Sequence, residues 1–171
     1  MTHWEAIAEA RSHVGYVEGE NKDNIFGKWY GANGSPWCAA FVSYVLNKAG
    51  HGHTIAGAQT DKGFNSCGKG IAHFKKLKAW FPVTEAKVGD LAFFDWDHDG
   101  SQDHVGIISK VDIASRMVKV IEGNTSDKSH SNGGVVKEQW RNISVIMGVG
   151  RPDYAKPAPV KKAPVKKAVK K

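Results

Sequence analysis

A chain of 171 residues with 41% apolar and 24% charged side chains has room for one domain of ordinary size and a hydrophobic core. No stretch reaches the roughly 18 to 20 uninterrupted apolar residues of a membrane span, and two cysteines, Cys38 and Cys67, are too few for a disulfide-stapled scaffold. The net charge of +7 is localised: seven lysines and no acid fall in residues 156–171, and the remaining 17 basic residues equal the 17 acidic ones.

Taken in chain order, Thr2 and Glu5 form a Thr-x-x-Glu capping box that starts a helix running to about Gly15. Trp4, Ile7, Ala8, Arg11 and Val14 would be its inward stripe. No basic segment followed by an apolar run precedes them, so no secretory signal is read. A Gly- and Asn-rich loop from Gly19 to Ser35 comes next. Ser35-Pro36, a capping residue followed by proline, then opens a second helix carrying Cys38, Phe41, Val42, Val45 and Ala49, with Gly50 as its stop. A third helical segment spans about Ile71 to Trp80.

Beyond Pro82 the period changes to two, and strands are expected over 88–95, 104–112, 115–122, 134–140 and 143–150. Helices followed by a run of strands joined by short turns argue for an α+β domain. Its N-terminal helices would pack on a five- to six-stranded antiparallel sheet, the layout of papain-like folds. The domain should cover 1–154. Residues 155–171 repeat Ala-Pro-Val-Lys-Lys and have too little apolar surface to fold, so they read as a linker or polycationic tail.

Cys38 is expected two or three residues inside a helix N-terminus, where unpaired N–H groups and the helix dipole favour a thiolate. It also lies on the stripe with Phe41 and Val45, a position equally suited to a small core residue. His104 opens a strand, and a turn centred near Ile113 would set Glu122 opposite it, or Asn124 after a small register shift. A base and an orienting group for the thiol would then meet at one end of the sheet. A bridge between Cys38 and Cys67 would remove this nucleophile; Cys67 reads as a spare thiol.

The segments Asn24 to Gly31 and Pro36-Trp-Cys-Ala-Ala-Phe-Val-Ser43 resemble the nucleophile region of CHAP domains (cysteine- and histidine-dependent amidohydrolase/peptidase). Val88-Gly-Asp-Leu-Ala-Phe-Phe94, Asp103-His-Val-Gly-Ile107 and Ile121-Glu-Gly-Asn124 resemble the family's later segments in the same order. The resemblance implies a papain-like fold, Cys38 as nucleophile, His104 as base, Glu122 orienting His104 and Asn124 as a polar assistant. It implies a peptidoglycan substrate cut between muramic acid and L-Ala, or within the peptide or cross-bridge. It further suggests a monomeric, endolysin-like catalytic part made in the cytoplasm of an infected host and ending in a linker to a wall-binding domain. The chemistry needs no cofactor.

Asp95-x-Asp97-x-Asp99-Gly-Ser101-x-Asp103 follows a calcium-loop spacing, although Gly106 occupies the position of the bidentate glutamate. A structural Ca²⁺ held by Asp95, Asp97, Asp99, Asp103 and the Ser101 carbonyl is the expectation; the alternative is an ordinary acidic Asp-Gly turn. Trp29, Tyr30 and Trp37 flank the cysteine and are candidates to line a groove for a sugar–peptide substrate, with core packing an equal account of at least one. The His51-Gly-His53 pair reads as polar surface. The lysine tail would attract anionic wall polymers or serve as a plain tether. A neutral body argues against specific nucleic-acid binding.

Overall fold

The computed structural model describes residues 1–156; the repeats expected to form the tail lie outside the described residues. The first helix, α1 (His3–Ser12), starts as the capping box requires: Glu5 Oε2 accepts from the Thr2 N–H at 2.9 Å and from its hydroxyl at 2.8 Å. Its inward face is not the expected stripe. Ala6, Ile7 and Ala10 are buried, whereas Trp4 is 57% exposed. The small alanines let the helix backbone approach its neighbours closely, and Trp4 instead lies against the His3 ring.

A short helix, α2 (Ile25–Tyr30), interrupts the Gly- and Asn-rich segment read as loop. Asn24 caps it, accepting from the Gly27 N–H at 2.7 Å, and Gly31 ends it at φ 97. The next helix, α3 (Cys38–Lys48), begins with Trp37 as its cap and not with Ser35. Cys38 is therefore its first residue, one to two positions earlier in the helix than expected. Helix α4 (Cys67–Lys76) starts four residues before the anticipated Ile71 and stops short of Trp80.

The sheet has six strands: β1 (Trp80–Phe81), β2 (Leu91–Phe94), β3 (His104–Asp112), β4 (Met117–Thr125), β5 (Val135–Asn142) and β6 (Ile146–Gly150). All neighbours are antiparallel and the spatial order is β1-β6-β2-β3-β4-β5. The α+β, papain-like expectation holds at the six-strand limit because two-residue β1, unread in the sequence, adds an edge. Residues 143–145, expected to start a strand, form a 3₁₀ turn capped by Asn142.

Period-two alternation gives the sheet two buried faces. Leu91, Phe93, Val105, Ile107 and Ile121 pack against α3 residues Phe41, Val45 and Leu46. Ala92, Phe94, Ile108, Val118 and Val120 form a second cluster on the opposite face, covered by loops. Among the described residues no helix is long and apolar enough to cross a membrane.

Candidate active site

Cys38 is 6% exposed at the start of α3, where Trp37 supplies no side-chain cap. Its backbone N–H is among those an α-helix leaves without an intrahelical partner. The thiol is held well below the ordinary thiol range, first by a hydrogen bond from Cys67, then by the charge of His104 and by the Val105 N–H, against the opposing effect of burial. Cys67 opens α4 and is pushed up by the same pairing, by burial and by the charge on Cys38. Both cysteines are free thiols. Cys67 is thus not in a loop but at the start of α4, next to Cys38.

His104 and Glu122 lie on the sheet face that carries Phe94, Ile108 and Val120, and both are wholly buried. The β3–β4 register pairs Gly106, not His104, with Glu122. The turn closes later than expected, with Asp112 opposite Met117, and a register irregularity between Ile108 and Lys110 takes back part of that shift before Glu122. His104 therefore meets Glu122 on the diagonal, Nε2 standing 2.9 Å from Oε1. Neither ring nitrogen makes a well-aligned hydrogen bond, so the contact is ionic in character. Burial opposes charge on the imidazole, but the Cys38 and Glu122 anions outweigh it and raise His104 to about 9. Burial likewise pushes the Glu122 carboxyl up; the pairings with His104 and Arg141 prevail and lower it.

Among the described residues Asn124 makes no hydrogen bond to His104, Glu122 or Cys38. Its backbone adopts φ 54, its Oδ1 accepts from the Gly134 N–H at 3.1 Å, and its amide donates to the Ser131 carbonyl at 3.3 Å. These bonds brace the β4–β5 loop, and none of them reaches the His104 ring. The reading of Trp37 is corrected: it is fully buried, stacks on Phe26 and donates Nε1–H to Glu18 at 2.6 Å, so it presents no face to a ligand. Trp29 and Tyr30 are half-buried. Lys62 lies over the Trp29 ring, and the Tyr30 hydroxyl donates to the Gly63 carbonyl.

In the acidic loop, carboxylate oxygens of Asp95, Asp97 and Asp99 lie within 4.8 Å of one another. Asp103 is turned away, accepting from the Trp96 N–H at 2.7 Å. Ser101 donates through both its N–H and its hydroxyl to Asp99. The donor set fits a hard cation at three carboxylates, fewer than the five expected groups.

Three residues near His104 were missed in the sequence. Arg141 grips Glu122 with Nε–Oε2 and Nη2–Oε1 contacts of 2.8 Å each. Trp96 flanks the His104 ring at 5.9 Å and lies under the Arg141 guanidinium at 4.8 Å. His130 faces Arg141 Nη1 at 3.1 Å. The available signal was that a buried carboxylate needs counter-charge and that 137, 139 and 141 share a face of β5. A cavity of about 570 Å³ lies elsewhere, lined by His53, His73, Leu77 and Arg151 among others, and by neither Cys38 nor His104.

A buried thiol of lowered pKa, an imidazole kept protonated and a carboxylate behind it form the equipment of cysteine-based acyl transfer. Among solved structures the chain is similar to the endolysin LysIME-EF1, with TM-score 0.54 and 16% identity over 90% of this chain and 65% of that one. It is similar to Ly7917, with TM-score 0.50 and 14% identity over 89% of this chain and 62% of that one. The chain thus spans less than two thirds of either length, and at such identities the likeness concerns the fold. The NlpC/p60 domain of the peptidoglycan hydrolase SagA matches at TM-score 0.46 and 14% identity, over 88% of this chain and 98% of that one. No curated protein matches the sequence. The CHAP domain family matches residues 29–124, more than half of the chain and the stretch holding Cys38, His104 and Glu122, and the chain belongs to that family.

Proposed function

We propose that this domain is a cysteine-dependent hydrolase of amide bonds in bacterial peptidoglycan. The observation that carries it is a lowered-pKa thiol at a helix N-terminus beside an imidazole backed by a buried carboxylate. In the reaction, the Cys38 thiolate attacks the scissile carbonyl. The Cys38 backbone N–H donates to the developing oxyanion, a contribution worth about 10² to 10³ in rate for one such donor. Protonated His104 gives its proton to the leaving amine; then, as a base, it activates the water that hydrolyses the thioester. The bond is that of an N-acetylmuramoyl-L-alanine amidase or of a peptide or cross-bridge endopeptidase. Ly7917, similar in fold, has been solved with the hydrolysing product of MDP, and LysIME-EF1 is an endolysin. Both favour a wall substrate here.

The test is turbidity loss and release of free amines from purified cell walls by the wild type and Cys38→Ser. Lysis that disappears in the variant supports the thiol mechanism, and the amino termini released identify the bond. Equal lysis by both proteins would overturn the thiol mechanism, and no lysis by either on varied walls would leave a non-catalytic wall- or polyanion-binding module as the reading. We also propose that Asp95, Asp97 and Asp99 hold a structural Ca²⁺, which takes no part in the chemistry.

A further inference from the structure

Glu122 is a carboxylate with no exposure to water, and His104 is its obvious partner. One cation does not suffice for the reactive state. When Cys38 is a thiolate, the buried cluster holds two anions, sulfur and carboxylate, against one imidazolium. A net charge enclosed in protein is costly, and a cluster in that condition relieves it by taking up a proton. The proton would return to the sulfur and remove the nucleophile.

Arg141 supplies the missing charge. It projects from β5, is 8% exposed, and forks onto both carboxylate oxygens of Glu122 at 2.8 Å. A bidentate grip fixes the carboxylate plane as well as its charge, so Oε1 stays directed at His104 Nε2. The guanidinium is itself held: Trp96 lies across it at 4.8 Å, Phe94 at 5.9 Å, and the Thr125 hydroxyl accepts at 3.3 Å. His130 Nδ1 stands 3.1 Å from the remaining Nη1. Gln139 donates to Glu122 Oε2 at 3.4 Å but carries no charge. Among the described residues, Arg141 is the permanent cation on Glu122.

We propose that Arg141 is a positioning residue that keeps Glu122 anionic and aligned, and thereby keeps Cys38 a thiolate at neutral pH. The proposal rests on the reading of Cys38 and His104 as the reactive pair. The four groups then alternate in sign along one line, thiolate, imidazolium, carboxylate, guanidinium, and sum to zero. A lysine could match the charge but not the fork.

The experiment follows the rate of iodoacetamide alkylation of Cys38 against pH, resolved by peptide mass so that Cys67 is read separately. Alongside it, kcat and KM on wall substrate and the melting temperature are measured. Arg141→Met should move the Cys38 inflection upward by about one unit or more towards the free-thiol range. It should also lower kcat roughly 10- to 100-fold, the scale at which outer partners of an active-site imidazole act, with KM little changed. Arg141→Lys should fall between wild type and Arg141→Met on both readouts, and it carries the test should the methionine variant not fold. Wild-type inflection and kcat in Arg141→Lys or Arg141→Met, with only a lowered melting temperature, would overturn the proposal by making Arg141 merely structural. A wild-type Cys38 that titrates as an ordinary thiol and is indifferent to His104→Ala would instead overturn the underlying cysteine–histidine reading.

Discussion

Gly106 lies directly across the β3–β4 pair from Glu122, and a Cβ built on it would stand 2.8 Å from Glu122 Cγ, 2.5 Å from Val120 Cγ1 and 2.9 Å from the Ile121 carbonyl. The missing side chain is the space through which Glu122 leans towards His104, two residues along β3. Gly106→Ala should therefore displace Glu122. We expect kcat to fall roughly tenfold or more from lost alignment and stability to drop by about 1 to 3 kcal/mol from overpacking. Steady-state kinetics and urea unfolding check both.

The proposed pairing of Cys38 with His104 predicts the pH dependence. Cys38 is lowered chiefly by the Cys67 thiol and by His104, so the acidic limb of kcat/KM should lie well below the free-thiol range. His104 is raised to about 9 by Cys38 and Glu122 in spite of burial, so the general acid is lost only as pH rises through about 9. A bell broad across neutrality is the expected profile. Cys67→Ala removes the hydrogen bond to the thiolate and should move the acidic limb upward, while leaving the alkaline limb near its place.

Calcium should stabilise the fold if Asp95, Asp97 and Asp99 bind it. At a hundredfold excess over Kd the gain would be about 2.7 kcal/mol. The melting temperature should fall on chelation, recover on adding Ca²⁺, and become indifferent to both in Asp97→Asn. Asp103→Asn should leave the calcium response in place, because its carboxylate is occupied by the Trp96 N–H. Unchanged melting after thorough chelation of the wild type would remove the metal.

Trp37 should matter to stability and not to substrate. It is wholly buried between Phe26 and the Glu18 carboxylate. Trp37→Ala should cost about 3 to 5 kcal/mol in denaturant unfolding. In the milder Trp37→Phe, KM should remain that of the wild type even as the melting temperature falls.

Acid should loosen the β5 edge. Glu138 is lowered from 4.5 to about 2, first by the hydrogen bond from Arg11 and further by Ser109. A carboxyl depressed on folding contributes stability that is present above about 4.5 and is lost as pH falls towards 2. Arg11 is half exposed, so Arg11→Met should cost no more than about 1 kcal/mol at neutral pH. Thermal melts at pH 7 and pH 3 should show that difference shrinking in acid.

The extent of β3 was legible because a run rich in valine and isoleucine, Val105 to Val111, lies between an acidic turn and Asp112, and the start of α1 was legible because the Thr2 capping box is a local signal. The segments around Cys38, His104 and Glu122 were readable for the same reason: each is a short, contiguous pattern. The inward face of α1 was misread because hydrophobicity alone favoured Trp4, whereas close packing selected Ala6 and Ala10. Trp37 lies next to Cys38 in sequence but is buried in the core, and Asn124, two residues after Glu122, spends its side-chain hydrogen bonds on the β4–β5 loop.

By itself, then, the sequence determined that helices precede a run of strands, without the short α2 and β1, and it determined the family. The tertiary structure alone decided how those pieces complete one another. The diagonal His104–Glu122 contact depends on where the turn closes and on the register irregularity between Ile108 and Lys110. The Cys38–Cys67 proximity depends on two helix N-termini meeting. The Arg141 clamp depends on the β4–β5 register that brings position 141 within reach of position 122. Local patterns carry propensity and periodicity, but burying a charge creates a demand that residues distant in sequence must meet, and only packing selects which of them does.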